Sequence, residues 1–183
     1  MRGTFVRGSI EYCLITSAEE WRQGEKLKAE ILIKNLTMDR ATVKGLRTVL
    51  ALGSLRKIQK KNKEAWTVKD IIKFDSEVVL AAQEQRKYPV EFQLPVDMPI
   101  SDTDHSAYLI YGDDEDLYKC GFLRLNIDVR ASIVGFIEVL VLFFRFQVKQ
   151  KKNSSKNFVE FKLIPPKTKE FNTLDNLFVK VKE

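Results

Sequence analysis

Apolar and polar residues alternate with a period of two along most of this chain. Leu27, Ala29, Ile31 and Ile33 fall between Lys26, Lys28, Glu30 and Lys34, with Leu32 as the exception. Such alternation marks a strand with one face on a core. Phe92 and Leu94 stand against Glu91 and Gln93 in the same way. Leu123, Leu125, Ile127 and Val129 alternate with Arg124, Asn126, Asp128 and Arg130, which is the cleanest strand pattern in the chain. The same reading predicts strands over residues 9–16, 43–52, 68–80, 107–111, 132–148, 158–164 and 176–182. Turn signals separate them at 23–25, 35–40, 60–63, 95–104, 112–116, 149–156 and 165–169. Many strands with no helical segments between them predict an all-β fold, an antiparallel two-sheet β-sandwich.

Residues 133–144 form the one long apolar run, broken only by Glu138. It falls well short of the about 20 residues needed to cross a bilayer. Apolar side chains on every side would also suit a helix, but the Val, Ile and Phe content favours a long buried strand bent at Gly135. Such a strand is too hydrophobic to remain bare. Phe158, Phe161, Leu163, Leu174, Leu177, Phe178 and Val181 could cover it, with 149–156 as the polar turn that reverses the chain. A second copy, giving a homodimer, is the competing cover. No repeat, low-complexity linker or shift of composition appears, so a single domain over 1–183 is expected.

Composition narrows the class without naming a function. The chain has 183 residues, 44% hydrophobic and 31% charged, which excludes a disordered or collagen-like protein. A net charge of +6 would suit an anionic partner. Both signs are spread along the whole chain, however, with none of the basic stripe that nucleic-acid binding calls for. Arg56, Lys57, Lys60, Lys61 and Lys63 form the densest basic stretch, and Trp66 lies outside it, so no aromatic is interleaved to stack on bases. A solvated hairpin end is one reading; contact with phosphate or anionic lipid is the functional alternative. Cys13 and Cys120 lie far apart within apolar stretches and read as buried free thiols. The first residues carry no apolar segment of the secretory kind, so cytoplasmic residence is expected. The Asn-x-Thr/Ser sequons at Asn35 and Asn153 then carry no weight.

Catalytic signatures are sparse. His105 is the single histidine, and a hydrolase-like site would have to pair it with Asp102 or Asp104. A polar loop is the plainer reading. One histidine and two cysteines cannot build a structural zinc site, and neither familiar glycine-rich phosphate loop occurs, so no cofactor is expected. Asp102 and Asp104 lie in one acidic loop, and Asp113, Asp114 and Asp116 in another. Should the two loops meet at one end of a sandwich, their carboxylates could hold calcium, as in a calcium-dependent lipid-binding sandwich. The competing reading is that these residues form ordinary turns.

The stretch Arg86-Lys87-Tyr88-Pro89-Val90-Glu91-Phe92-Gln93-Leu94-Pro95-Val96-Asp97-Met98-Pro99-Ile100-Ser101, followed by Ala107-Tyr108-Leu109-Ile110-Tyr111, resembles the central signature of the arrestin superfamily. There a tyrosine-proline-phenylalanine strand precedes a proline and serine loop and then a strand ending in tyrosine. Residues 21–31 resemble the hairpin near the start of that fold, 43–50 its next strand, and 123–129 the strand after the tyrosine. The resemblance covers residues 9–130, and among the superfamily's branches this short chain is most similar to bacterial sporulation-control proteins. It implies an arrestin-like sandwich and a non-enzymatic adaptor or regulatory protein, one that binds partner proteins, membrane-protein tails among them, through loops or an exposed edge strand. Arrestins join two such domains through a polar core. A chain of 183 residues holds one domain and a tail, so phosphate sensing between domains is not implied.

Overall fold

The alternating segments become strands of two facing sheets. This computed structural model describes residues 1–62, 64–102, 105–154 and 158–182. The chain begins with β1 (Arg2–Arg7), β2 (Ile10–Thr16), β3 (Glu20–Arg22), β4 (Lys26–Asn35), β5 (Ala41–Lys44) and β6 (Arg47–Gly53). After the short helix α1 (Leu55–Gln59) come β7 (Trp66–Lys73), β8 (Glu77–Leu80) and β9 (Gln85–Gln93). Then follow β10 (Ser106–Gly112), β11 (Gly121–Arg124), β12 (Asn126–Asp128), helix α2 (Ala131–Leu142), β13 (Gln147–Ser154), β14 (Phe158–Ile164) and β15 (Leu177–Lys182). One sheet has the order β1-β2-β4-β9 and the other β11-β10-β6-β7, each with antiparallel pairing. Ile31, Ile33, Phe92, Leu94, Leu109, Leu125 and Ile127, the apolar phase of the sequence pattern, are all buried between them. Each such side chain stabilises the fold by about 1.5–3 kcal/mol.

Several predicted strands are subdivided, for definable reasons. The segments 43–52 and 68–80 each contain two strands. Gly45 turns left-handed at φ 71°, its N–H donates to the Ser76 carbonyl, and the Phe74 N–H donates to that of Leu46. Both segments therefore break at the same level, splitting the β5-β8 pair from the β6-β7 pair. The alternation over 123–129 also spans two strands. β11 pairs with β10, Leu125 drops into the core, and β12 crosses to lie parallel to β3. Side-chain alternation survives this change of sheet, so the pattern alone shows no break. β1 was not marked by the pattern because its faces are only half buried. It closes one seam of the sandwich against β11. A Cβ on Gly121 would lie 2.7 Å from Phe5 Cβ, and one on Gly3 would lie 2.7 Å from Tyr111 Oη, so only glycine permits this approach.

The largest correction concerns 133–144. This run is not a buried strand bent at Gly135; it lies mostly in helix α2. Ile133 and Ile137, one helical turn apart, point into a second core with Ile100, Val129, Val159 and Phe161. That spacing of four outweighs the β propensity of Val, Ile and Phe. Residues 149–154, read as part of a polar turn, belong to β13, which forms the antiparallel sheet β13-β14-β15. The tail does cover the apolar run, but on one side only: Val179 and Val181 pack towards α2, while Phe136, Val139, Leu142, Phe143 and Phe144 remain exposed.

The C-terminal end of α2 is closed tightly. The Phe146 N–H donates to the Leu140 carbonyl at 3.1 Å, and Arg145 between them is left-handed at φ 57°. The left-handed residue in this closing turn is an arginine, where glycine is the usual choice. Phe146 is buried and meets Phe171 edge-on, with ring centroids 5.2 Å apart.

Two buried or half-buried asparagines tie loops together. Asn35 is fully buried: its Nδ2 donates to the carbonyls of Asp39 at 2.7 Å and Ala81 at 2.8 Å, and its Oδ1 accepts from the Thr37 N–H and hydroxyl. Asn153 on β13 accepts from the Ile100 N–H at 2.9 Å and donates to the Ile100 carbonyl at 2.7 Å, joining the helix-and-sheet unit to the sandwich. Both sequon asparagines thus have structural duties. Replacing Asn35 with Ala strands several buried polar groups and should lower unfolding free energy by about 3 kcal/mol in urea titration. Arg145→Gly should instead raise it by about 1 kcal/mol in the same measurement, because the left-handed backbone then carries no Cβ.

Candidate functional site

The two acidic loops lie at opposite ends of β10, whose seven residues at about 3.3 Å each separate them by roughly 20 Å. Asp102 therefore does not share a calcium site with Asp113, Asp114 and Asp116. The loops meet other partners instead. No group of three or more potential ligands capable of holding a metal ion occurs among the described residues, and Asp104 lies outside them.

At one end, Asp102 Oδ1 accepts the His105 backbone N–H at 2.7 Å, and Oδ2 accepts Asn153 Nδ2 at 2.6 Å. Its carbonyl accepts Arg124 Nη2 at 2.8 Å, while Arg124 Nε donates to the Ser106 hydroxyl. Ser101 Oγ accepts the Ile127 N–H and donates to the Leu125 carbonyl. Asp102 is thus a structural clamp beneath the α2 unit. His105 is exposed, and the loop aspartate meets it through the backbone rather than the ring.

At the other end, Arg7 Nη1 lies 2.9 Å from Asp113 Oδ1, and its Nη2 lies 2.6 Å from Asp114 Oδ2. Arg47 donates to the Asp114 carbonyl. The backbone N–H of Asp116, with the guanidinium of Arg7, holds the Asp114 carboxyl below the usual carboxylate range although partial burial opposes it. Asp116 caps a single turn by accepting the Tyr118 N–H at 3.0 Å. These carboxylates stitch β1 to the loop after β10. Burial pushes the Tyr111 phenol up to about 12 and also raises the Cys120 thiol. Both cysteines are free and buried, and Arg2 Nε lies 3.1 Å from Cys13 Sγ.

The basic stretch does lie at the end of the antiparallel β6-β7 pair, where the connection contains a short helix in place of a tight turn. Arg56 and Lys57 lie on α1, and Lys60 and Lys61 follow it; all four are exposed, and Lys63 lies outside the described residues. Ile58 is the one buried side chain of the helix. It packs with Trp66, Tyr108 and Cys120 over the outer face of β10. The Tyr118 hydroxyl donates to the Asn62 carbonyl at 2.7 Å. The helix therefore serves as a lid on the sheet and presents its cations outward.

Surfaces left for recognition are sheet edges and the outer side of α2. β9 carries Pro89 within its edge, β7 has an extra residue at Lys69, β13 has one at Lys149, and β1 leans on β11. These features blunt an edge against further pairing. β15 has continuous register with β14 from Leu177 to Lys182, without bulge or proline. Neither β15 nor the exposed aromatics of α2 was singled out as a site by sequence reasoning. The first requires knowing which strand ends a sheet. The second requires the helical assignment that the β propensity concealed.

A family model described as SpoOM protein matches residues 10–111, the span from β2 into β10. Among solved structures, Spo0M, the sporulation control protein of Bacillus subtilis, superposes with a TM-score of 0.64 at 14% identity, covering 95% of this chain and 74% of that one. At that identity the likeness shows a shared fold. A β-glucosidase from Listeria innocua matches with a TM-score of 0.40 at 15% identity, over 67% of this chain and 17% of its own. A Pseudomonas fluorescens alkylpurine DNA glycosylase gives 0.40 at 12%, over 67% and 31% respectively. These last two carry no argument about function. No curated protein matches the sequence. With more than half of its length inside the family model and its sandwich shared with the Bacillus protein, the chain belongs to the Spo0M sporulation-control family.

Proposed function

We propose that this protein is a non-enzymatic regulatory adaptor of the sporulation-control kind, acting in the cytoplasm, which captures an extended segment of a partner protein by strand addition at β15. The observation that carries this reading is the open edge of β15: six residues in unbroken register, with none of the devices that blunt the other long edges. An edge of this form offers main-chain hydrogen bonds for affinity and alternate side chains for selectivity. Phe178 is exposed on β15, with Lys162 Nζ 5.5 Å from its ring centroid. Lys182 is exposed at the end of the strand and favours an acidic segment, while Lys180 is already paired with Glu160 at 3.3 Å. Support for the non-enzymatic part comes from the use of the candidate groups: Asp102 is a clamp, Arg7 pairs with Asp113 and Asp114, and His105 stands exposed away from the buried core.

A partner retained by the purified chain from lysate of its own source should slow hydrogen exchange at the amides of Leu177–Lys182. Proline at Val179 and, separately, at Lys180 removes N–H groups that face opposite sides of the strand. The variant that keeps near-native stability should lose partner affinity by tenfold or more. Unchanged exchange across β15 in the complex, or equal retention by both variants, would overturn the reading.

A further inference from the structure

The outer side of α2 ends in an aromatic tip. Leu142 and Phe143 are 72% and 78% exposed, and Phe136, Val139 and Phe144 are also uncovered. This is a contiguous apolar surface rather than scattered single residues, because the five side chains belong to one helix and its closing turn. The tip is held firmly: the Phe146 N–H bond to the Leu140 carbonyl, the left-handed turn at Arg145 and the burial of Phe146 against Phe171 fix the turn that presents Phe143 and Phe144.

One cation lines the tip's own cleft and others stand in the adjoining cleft and strand. Arg145 follows the two phenylalanines directly. Lys149 adjoins Val148, which lines an apolar groove of about 360 Å³ with Val141, Leu142 and Phe161. Lys167 and Lys169 flank Thr168, which lines a second cleft with Phe143, Phe144 and Phe171. Arg145, Lys149, Lys167 and Lys169 are exposed and make no ion pair among the described residues. Lys151 in the groove is paired with Asp128, so its charge is already matched. Glu138, Glu170 and Asp175 are the acidic residues at this face, three against the four unpaired cations.

We infer that α2 and its closing turn form a membrane-docking surface for anionic lipid: Phe143, Phe144 and Leu142 enter the interface while Arg145, Lys149, Lys167 and Lys169 contact the headgroups. Bulky apolar side chains flanked by basic ones are the chemistry that holds an interfacial helix on a negatively charged leaflet. Charge also selects this occupant over a second copy. A two-fold dimer through the same face would bring two surfaces of net positive charge together. The site is separate from the basic residues at α1 and from the β15 edge, so membrane docking and partner capture can succeed or fail independently.

Flotation of the full chain with vesicles tests this. Binding to phosphatidylcholine vesicles enriched in phosphatidylglycerol is expected, with little to phosphatidylcholine alone and a fall as salt rises. Phe143→Ser together with Phe144→Ser should reduce partition by roughly a hundredfold, since two exposed rings lose their apolar refuge. Lys149→Glu, Lys167→Glu and Lys169→Glu combined should reduce it by a similar factor at low salt. Both sets change exposed side chains, and unchanged thermal unfolding verifies that the fold is kept. The proposal is overturned by absence of binding to anionic vesicles. It is equally overturned if binding survives in the double serine variant, or is lost only when Arg56, Lys57, Lys60 and Lys61 are changed. Self-association that those serine substitutions abolish, without vesicle binding, would assign the face to a second copy instead.

Discussion

Strand β10 is buried along its whole length and on both faces, and this condition organises the molecule. Ala107, Leu109 and Tyr111 face the core between the sheets, while Tyr108 and Ile110 face the cluster under α1. A strand covered on both sides must satisfy its backbone within the sheet, and β6 and β11 supply that pairing. The polar chemistry of the region is therefore displaced to its two ends. There the aspartates of both loops serve as clamps, one set beneath the helix-and-sheet unit and the other against β1.

The sandwich was legible in the sequence because its information is local. Period-two alternation survives chain breaks and even a change of sheet, as Leu123, Leu125, Ile127 and Val129 show. The same robustness hides boundaries: nothing in the alternation marks Gly45 or Leu125 as a breakpoint. The signature around Tyr88, Pro89 and Phe92 placed the family correctly, since those residues lie on β9 inside the matched span. Helix α2 was concealed for the opposite reason. Its residues have strand-like propensities, and only tertiary contacts from Ile133 and Ile137 decide in favour of a helix.

Sites were less legible than the fold. Acidic residues in turns look alike whether they bind a cation or accept backbone N–H groups, and only the length of β10 separates the two readings here. Asn153 is the converse case. It was visible as a sequon and carries the joint between two cores through both faces of its amide. Edges and exposed helix faces belong to the assembled molecule, since a strand becomes an edge only through the absence of a neighbour. A family resemblance at 14% identity leaves such surfaces to be read from each member separately.

The glycine-lined seam between β1 and β11 also orders events in time. β1 meets β2 through a tight hairpin, a nearly local contact, but it meets β11 only after more than a hundred intervening residues have found their places. Closing a loop of that size is slow compared with forming a hairpin, so the amino-terminal hairpin can form early yet lock late. The Arg7 clamp on Asp113 and Asp114 then acts as a latch on that final step. A chain caught before latching would present β1 as a bare strand, making the seam the point at which assembly of this sandwich is most exposed to a wrong partner.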